Sequence, residues 1–300
     1  MKPVVMIAGP TASGKSALAI RMAQRLDGEV INADSMQVYK DLRIISARPD
    51  TREMNGIPHH LFGHVDGGLR YSVGSWQRDV VPIILDCLAR DKTPILVGGT
   101  GMYFKSLTDG LADIPDVPDD ILETLKVRLT HEGFEPLYNE ALAHDPVATG
   151  RLLGQDPQRL LRILSVYQYT NRPLSEWQQA MTRPVIPKGF WRGIVLNPER
   201  EALYHRINSR FEQMIEAGGR DEVEALLSRQ LDPSLPVMKA IGVSQHFASH
   251  AADWVSLCQR DTRRFAKRQK TYFRKYAHNW KWVDLFGGDL EAELDKLLPV

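Results

Sequence analysis

The sequence predicts an α/β protein, a P-loop parallel sheet flanked by helices and carrying an inserted helical domain. Three observations predict it. The apolar run Val4–Ala8 leads into Gly9, Pro10, Thr11, Ala12, Ser13, Gly14, Lys15 and Ser16, which match G-x-x-x-x-G-K-[ST] at every fixed position. Further strand-length apolar runs alternate with helical patterns, the signature of parallel strands joined by crossover helices. A long stretch with only helical patterns then intervenes before a strand-like run returns at Trp191–Leu196. The expected division is 1–113 with 183–300 as the α/β core and its basic C-terminal helical part, and 114–182 as the insertion.

Val4–Ala8 reads as a buried parallel strand, and Leu18, Met22 and Leu26 fall at helical spacing after the loop. Successive backbone N–H groups of such a loop form an anion nest, and the helix N-terminus behind it adds positive potential. Lys15 is expected to reach outer phosphate oxygens, and the Ser16 hydroxyl to ligate Mg²⁺. The motif is shared with ATP-binding proteins, so it predicts a phosphate chain without naming its owner.

Glu29–Asp34 reads as a second strand with Asp34 at its carboxyl end, where open parallel sheets bind ligands. A carboxylate there can accept a proton or hold Mg²⁺, or can simply cap the next helix. Ser35, Met36 and Gln37 would lie over the same crevice. Residues 41–75 read as an irregular loop, because His59, His60, His64 and Asp66 sit among glycines and prolines that argue against a helix bearing a metal pair. Trp76, Val80, Ile84 and Leu88 predict a helix with Ser75 as its N-cap, which Pro82 should kink or restart. Pro94–Val97 is a further strand. It ends in Gly98, Gly99, Thr100 and Gly101, glycines that would let a ligand approach the backbone with Thr100 beside it.

Between Asp109 and Glu123 the chain is acidic and carries Pro115 and Pro118, which marks a boundary. In the helical part beyond, Arg159 and Arg162 share a face of the run Gln158–Leu164. After Trp191–Leu196 a long amphipathic helix carries Arg206 and Arg210 one turn apart. Two such arginines could clamp a phosphate or pair with Glu201 or Glu212.

The net charge is only +1, but it is unevenly spread. Between Arg260 and Lys281 there are nine Lys or Arg residues against one acid, Asp261, with Phe265, Tyr272, Phe273, Tyr276 and Trp280 interleaved. Basic charge with aromatics suits a phosphate backbone and splayed bases, although the aromatics could equally be core. The hydrophobic fraction of 43% and charged fraction of 25% are those of a soluble globular chain. Two cysteines, Cys87 and Cys258, make neither a disulfide framework nor a zinc quartet. Met1 and Lys2 precede the first strand directly, leaving no room for a cleavable signal, and no apolar run approaches membrane-span length. A cytoplasmic protein with no membrane contact is expected.

Together these residues resemble the bacterial tRNA dimethylallyltransferase family nearly end to end. The resemblance rests on Gly9–Ser16, Asn32–Tyr39, Ile57–Leu61, Gly98–Tyr103, Gln158–Arg162 and Ala266–Arg274. It implies transfer of a dimethylallyl group from dimethylallyl pyrophosphate to N6 of the adenosine 3′-adjacent to the anticodon in tRNA, releasing pyrophosphate. On that resemblance Gly9–Ser16 would hold pyrophosphate, with Thr11 and Lys15 catalytic, and one of Arg206 and Arg210 would assist. Asp34 would be the base, with Ser35, Met36 and Gln37 lining the target adenine. Thr100, Gln158, Arg159, Leu160, Leu161, Arg162, Gln245, Lys267 and Arg268 would contact tRNA. A monomer using Mg²⁺ through Ser16 is implied.

Some positions depart from the family: Val243 stands where a tyrosine is usual, and Leu122 where some relatives carry an arginine. Gly219 replaces a leucine after Gly218, which should loosen a helix end. A kinase on the same scaffold would explain residues 1–110 but leave the basic segment idle. An RNA-binding switch without group transfer would leave Asp34 and Thr100 idle, and a transferase acting on free adenine nucleotides would not need the RNA-type C-terminal half.

Overall fold

The computed structural model describes residues 2–180, 182–246, 253–286 and 297. The chain divides into two compact units: Met1–Thr108 with Val185–Val300, and Asp109–Pro184. The second is wider on both sides than the expected 114–182.

The first unit begins with β1 (Val4–Ala8), α1 (Lys15–Leu26), β2 (Gly28–Asn32), β3 (His59–His60), α2 (Val73–Ala89), β4 (Thr93–Gly98) and α3 (Gly101–Thr108). The second unit is all helix: α4 (Asp119–Glu132), α5 (Phe134–His144), α6 (Pro146–Thr149), α7 (Pro157–Thr170) and α8 (Leu174–Gln179). The first unit then resumes with β5 (Trp191–Leu196), α9 (Arg200–Glu216), α10 (Gly219–Ser228), α11 (Val243–His246), α12 (Trp254–Tyr276) and β6 (Lys281–Val283).

The six strands form one parallel sheet in the order β3-β2-β4-β1-β5-β6. Its strands are apolar on both faces because both faces are covered. Along β1, Val4, Met6 and Ala8 join one core with Trp76, Val80, Phe104 and Phe273, while Val5 and Ile7 join the other with Leu18, Ala19 and Met22. Period-two alternation thus sorts one strand into two cores.

Four local expectations are corrected. His59 and His60 are a short edge strand paired with Val30 and Ile31, not loop. Burial explains it: His60 Nε2 lies 2.7 Å from the Glu29 carboxylate, which is 6% exposed and also takes a double hydrogen bond from Arg90. The N-cap of α2 is Ser72, whose Oγ accepts from the Ser75 N–H at 3.1 Å. Helix α2 runs through Pro82 unbroken, because Pro82 and Arg78 face solvent and the carbonyl left without its donor is on the wet side. Gly219 does not loosen α10: a Cβ there would stand 2.6 Å from the Met214 carbonyl oxygen, so its absence permits a tight turn from α9 behind Gly218 at φ 90°.

The second unit has its own core of Leu125, Leu137, Ala141, Leu160, Leu161, Ile163 and Leu164. At its base Thr182 and Leu111 exchange backbone and hydroxyl hydrogen bonds. On the first unit's side, Ile186 N–H donates to the Leu107 carbonyl at 3.0 Å.

Candidate active site

The phosphate loop joins β1 to α1 at the carboxyl edge of the sheet. Gly9 must be glycine, since a Cβ would approach the Leu196 carbonyl oxygen to 2.8 Å. Gly14 caps α1 in the left-handed region at φ 95°, and Leu18 N–H is the first to close a bond, onto Gly14. The first-turn amides just before it, at Lys15, Ser16 and Ala17, are the donors a helix start leaves without intrahelical partners, whereas the Ser13 N–H turns back to the Pro10 carbonyl. Ser13 Oγ is buried with no hydrogen-bond partner, an orphan that an incoming oxyanion or cation shell would satisfy. Lys15 Nζ donates to the Pro10 carbonyl at 2.6 Å. Burial pushes its pKa down to about 8, with Asp34 opposing and Arg210 adding to the fall.

Asp34 sits at the end of β2 in an Asx turn, not a helix cap. Its Oδ1 accepts from the Met36 N–H at 2.9 Å. Asn32, fully buried, fixes it from behind by accepting from the Asp34 N–H and donating to the Asp34 and Leu61 carbonyls. Thr100 Oγ1 accepts from the Ser35 N–H at 2.9 Å and lies 3.3 Å from Ser35 Oγ, so it holds the strand-end turn in shape. Gln37 Nε2 donates to the Ser46 and Ala47 carbonyls, each at 3.0 Å, and so holds a second rim. That rim is tied from below by Glu222, whose carboxylate accepts the N–H groups of Arg43, Ile44 and Ile45 at 2.7–2.9 Å.

These parts enclose a cavity of about 690 Å³ lined by Thr11–Ala17, Asp34–Gln37, Ile45–Ala47, Glu53, Arg206, Arg210, Phe265 and Arg268, among others. Of the two arginines, Arg210 is the one electrostatically coupled to Lys15 and Glu53. Arg206 lies over the Phe286 ring at 5.0 Å. A cavity of about 780 Å³ also opens at the opposite edge, around Lys2, Arg25, Trp191 and Arg192. It lies at the amino ends of β1 and β5, away from the loop and Asp34, and open parallel sheets place ligands at the carboxyl ends.

Several expected RNA contacts are redistributed. Leu160 and Leu161 are 0% and 8% exposed in the core of the second unit; of the five residues expected there, Gln158, Arg159 and Arg162 reach its surface. The Gln245 side chain is used inside the fold: it accepts from the Gly242 N–H and donates to Asp261, while Val243 is buried beside it. On α12, Lys267 and Arg268 are exposed, whereas Arg263 and Lys270 are bonded to Asn208 and the Pro198 carbonyl. Phe273 and Trp280 are core, and Tyr276 is the aromatic of the segment left 40% exposed. The glycines of 98–101 make close protein contacts, and Gly98 also borders the cavity. A Cβ at Gly98, Gly99 or Gly101 would lie 2.0 Å from the Ala33 carbonyl oxygen, Gln269 Nε2 or the Tyr272 ring. Asn32, Glu222 and Gln269 were not anticipated, because their roles depend on partners far away in sequence.

Over residues 37–276 the chain matches the family model described as IPP transferase, and over residues 2–62 the one described as isopentenyl transferase. It is 48% identical over 306 aligned positions to a tRNA dimethylallyltransferase of Maricaulis maris, covering 100% of this chain and 98% of that protein. Its identity to the tRNA dimethylallyltransferase of Hyphomonas neptunium is 47%, over 93% of this chain and 90% of that one. Among solved structures, the full-length tRNA isopentenylpyrophosphate transferase of Bacillus halodurans superposes with a TM-score of 0.70 at 31% identity, over 99% and 94% of the two chains. A eukaryotic dimethylallyltransferase acting on tRNA superposes at 0.82 and 28%, over 99% and 78%. A phosphate loop facing a strand-end aspartate, on a chain matched over most of its length by that model, makes this protein a member of the IPP transferase family.

Proposed function

We propose that this protein transfers the dimethylallyl group of dimethylallyl pyrophosphate to N6 of the adenosine 3′-adjacent to the anticodon in tRNA, releasing pyrophosphate. The observation that carries the reading is the convergence of Lys15, Arg210 and Asp34 on one cavity at the mouth of the phosphate loop. The exocyclic amine of adenine is a poor nucleophile, its lone pair being delocalised into the ring. Asp34 accepts the N6 proton as the N6–C bond forms, a role within the usual reach of a positioned carboxylate. The allylic C–O bond breaks, and the electron pair leaves with pyrophosphate. The loop amides, Lys15 and Arg210 stabilise the charge that develops there. Thr11 borders the departing oxygen, and Ser35, Met36 and Gln37 border the base.

The donor set fits Mg²⁺, a hard cation taking oxygen ligands. Ser16 and pyrophosphate oxygens would hold it, with the unpartnered Ser13 hydroxyl nearby. When bound it supplies further neutralisation of the leaving group.

The exposed Lys267 and Arg268 meet RNA phosphates, and Arg159 and Arg162 do so from the second unit. The target base must be splayed from its loop to enter the cavity. Among the described residues no helix is long and apolar enough to cross a membrane. The protein acts as a cytoplasmic monomer.

A single-turnover assay tests the reading, with Mg²⁺, labelled dimethylallyl pyrophosphate and unmodified tRNA carrying adenosine 3′ of the anticodon. Label enters the RNA with the wild type and not with Asp34→Ala. Phosphate transfer from ATP in a parallel reaction, with no label in RNA, would instead make the protein a kinase.

A further inference from the structure

Helix α12 carries the exposed Lys267, with the exposed Arg268 at the rim of the cavity, and another side of it touches the phosphate loop. Ala266 packs in one apolar cluster with Ala12, and Gln269, 5% exposed, lies one turn on. The Gln269 carboxamide is used at both ends. Its Oε1 accepts from the Thr11 N–H at 2.9 Å, and its Nε2 donates to the Gly99 carbonyl at 3.1 Å. A donor on one side and an acceptor on the other fix which way the amide points.

The Thr11 N–H belongs to the same peptide group as the Pro10 carbonyl, and in a trans peptide the two point to opposite sides. That carbonyl is the acceptor of the Lys15 ammonium at 2.6 Å. Gln269 therefore holds one edge of a rigid plane whose other edge holds Lys15. We infer that Gln269 is a positioning residue: it sets the Lys15 ammonium for pyrophosphate through the Pro10–Thr11 peptide, tying the loop to the helix that presents Lys267 and Arg268. Gly99 is part of the device, because a Cβ there would occupy the place of Gln269 Nε2. The inference rests on pyrophosphate being the ligand of the loop.

The test is a double-mutant cycle read by titration of the full chain with inorganic pyrophosphate and, separately, with unmodified tRNA. Gln269→Met keeps the volume and removes both hydrogen bonds. With Lys15 present it should weaken pyrophosphate about fivefold to tenfold, the scale of one lost hydrogen bond to a working group. In a Lys15→Met background it should weaken it by less than about twofold, because the two residues act on one path. Affinity for tRNA should stay within about twofold in every variant. Gly99→Ala leaves α12 unchanged in sequence and should give the same pattern, so the inference does not depend on one variant folding. Equal losses in both Lys15 backgrounds, or a matching loss of tRNA affinity, would reduce Gln269 to a general structural contact and overturn the inference. No effect of either variant overturns it as well. Failure of the wild type to bind pyrophosphate at all would strike the functional reading first and this inference with it.

Discussion

Two glycine-bearing turns stand side by side at the carboxyl edge of the sheet, one after β1 and one after β4, and Gly14 of the first is glycine for a reason opposite to that of the second turn's glycines. In Gly9–Ser16, Gly14 has φ 95° with nothing within 4 Å of where a Cβ would stand. Its glycine is conformational, and the space beside it is open to the cavity. In Gly98–Gly101 the backbone is ordinary and the space is occupied: each missing Cβ is replaced by the Ala33 carbonyl, Gln269 or Tyr272. One turn is hollow for a ligand; its neighbour is filled by the protein, and its filling reaches across to brace the hollow one. A glycine cluster at a strand end is thus not evidence of a ligand until the neighbours are known.

The comparison can be tested from its largest expected effect to its smallest. Asp34→Asn keeps the acceptor for the Met36 N–H, so the chain should fold normally while kcat/KM in dimethylallyl transfer falls about 10³-fold, within the range of a lost general base. Unchanged activity in that variant would remove Asp34 from the chemistry. Gly98→Ala puts a methyl group against backbone that cannot swing away, and should cost about 2–3 kcal/mol in denaturant unfolding. An ordinary Cm for Gly98→Ala would mean the two turns are more alike than they look.

The third effect is one of pH. Lys15 is held down at about 8 in the free site, chiefly by burial. Below that pH it is charged and ready for pyrophosphate. Above it, binding must take up a proton, and affinity should fall about tenfold per pH unit until the pKa of the bound state is reached. A flat profile between pH 8 and 9.5, measured by titration with inorganic pyrophosphate, would contradict this. Last, Gly14→Ala meets only conformational strain and should cost about 1 kcal/mol of stability, with a larger proportional loss in pyrophosphate binding.

Much of the site was legible because its parts are short and local. Gly9–Ser16 is a contiguous pattern, and Asp34 follows a strand whose apolar character is plain. The division of β1, β4 and β5 between two cores follows from alternation alone. What was not legible depended on distance. Gln269 meets Thr11 across 258 positions, and nothing in the run Ala266–Arg274 distinguishes a buried glutamine from a surface one. Gln245 was expected at RNA and is spent on Gly242 and Asp261, a choice set by tertiary neighbours. The Leu160 and Leu161 expectation erred differently. Helical spacing already places them on the side away from Arg159 and Arg162, so following a whole motif obscured what its individual residues do. His59 and His60 form a strand too short for any periodicity to register.

The neck between the two units has a consequence of its own. Leu107 and Ile186 are hydrogen-bonded neighbours on one side of it, as are Leu111 and Thr182 on the other. The helical unit is therefore joined to the rest of the chain through two adjacent segments. Because Leu107 and Ile186 already touch, replacing residues 109–184 with a short turn would add little loop-closure entropy. Each piece has its own apolar core. Lineages could in this way exchange the helical cassette for others of different size, while the six-stranded sheet and its phosphate loop stay as they are.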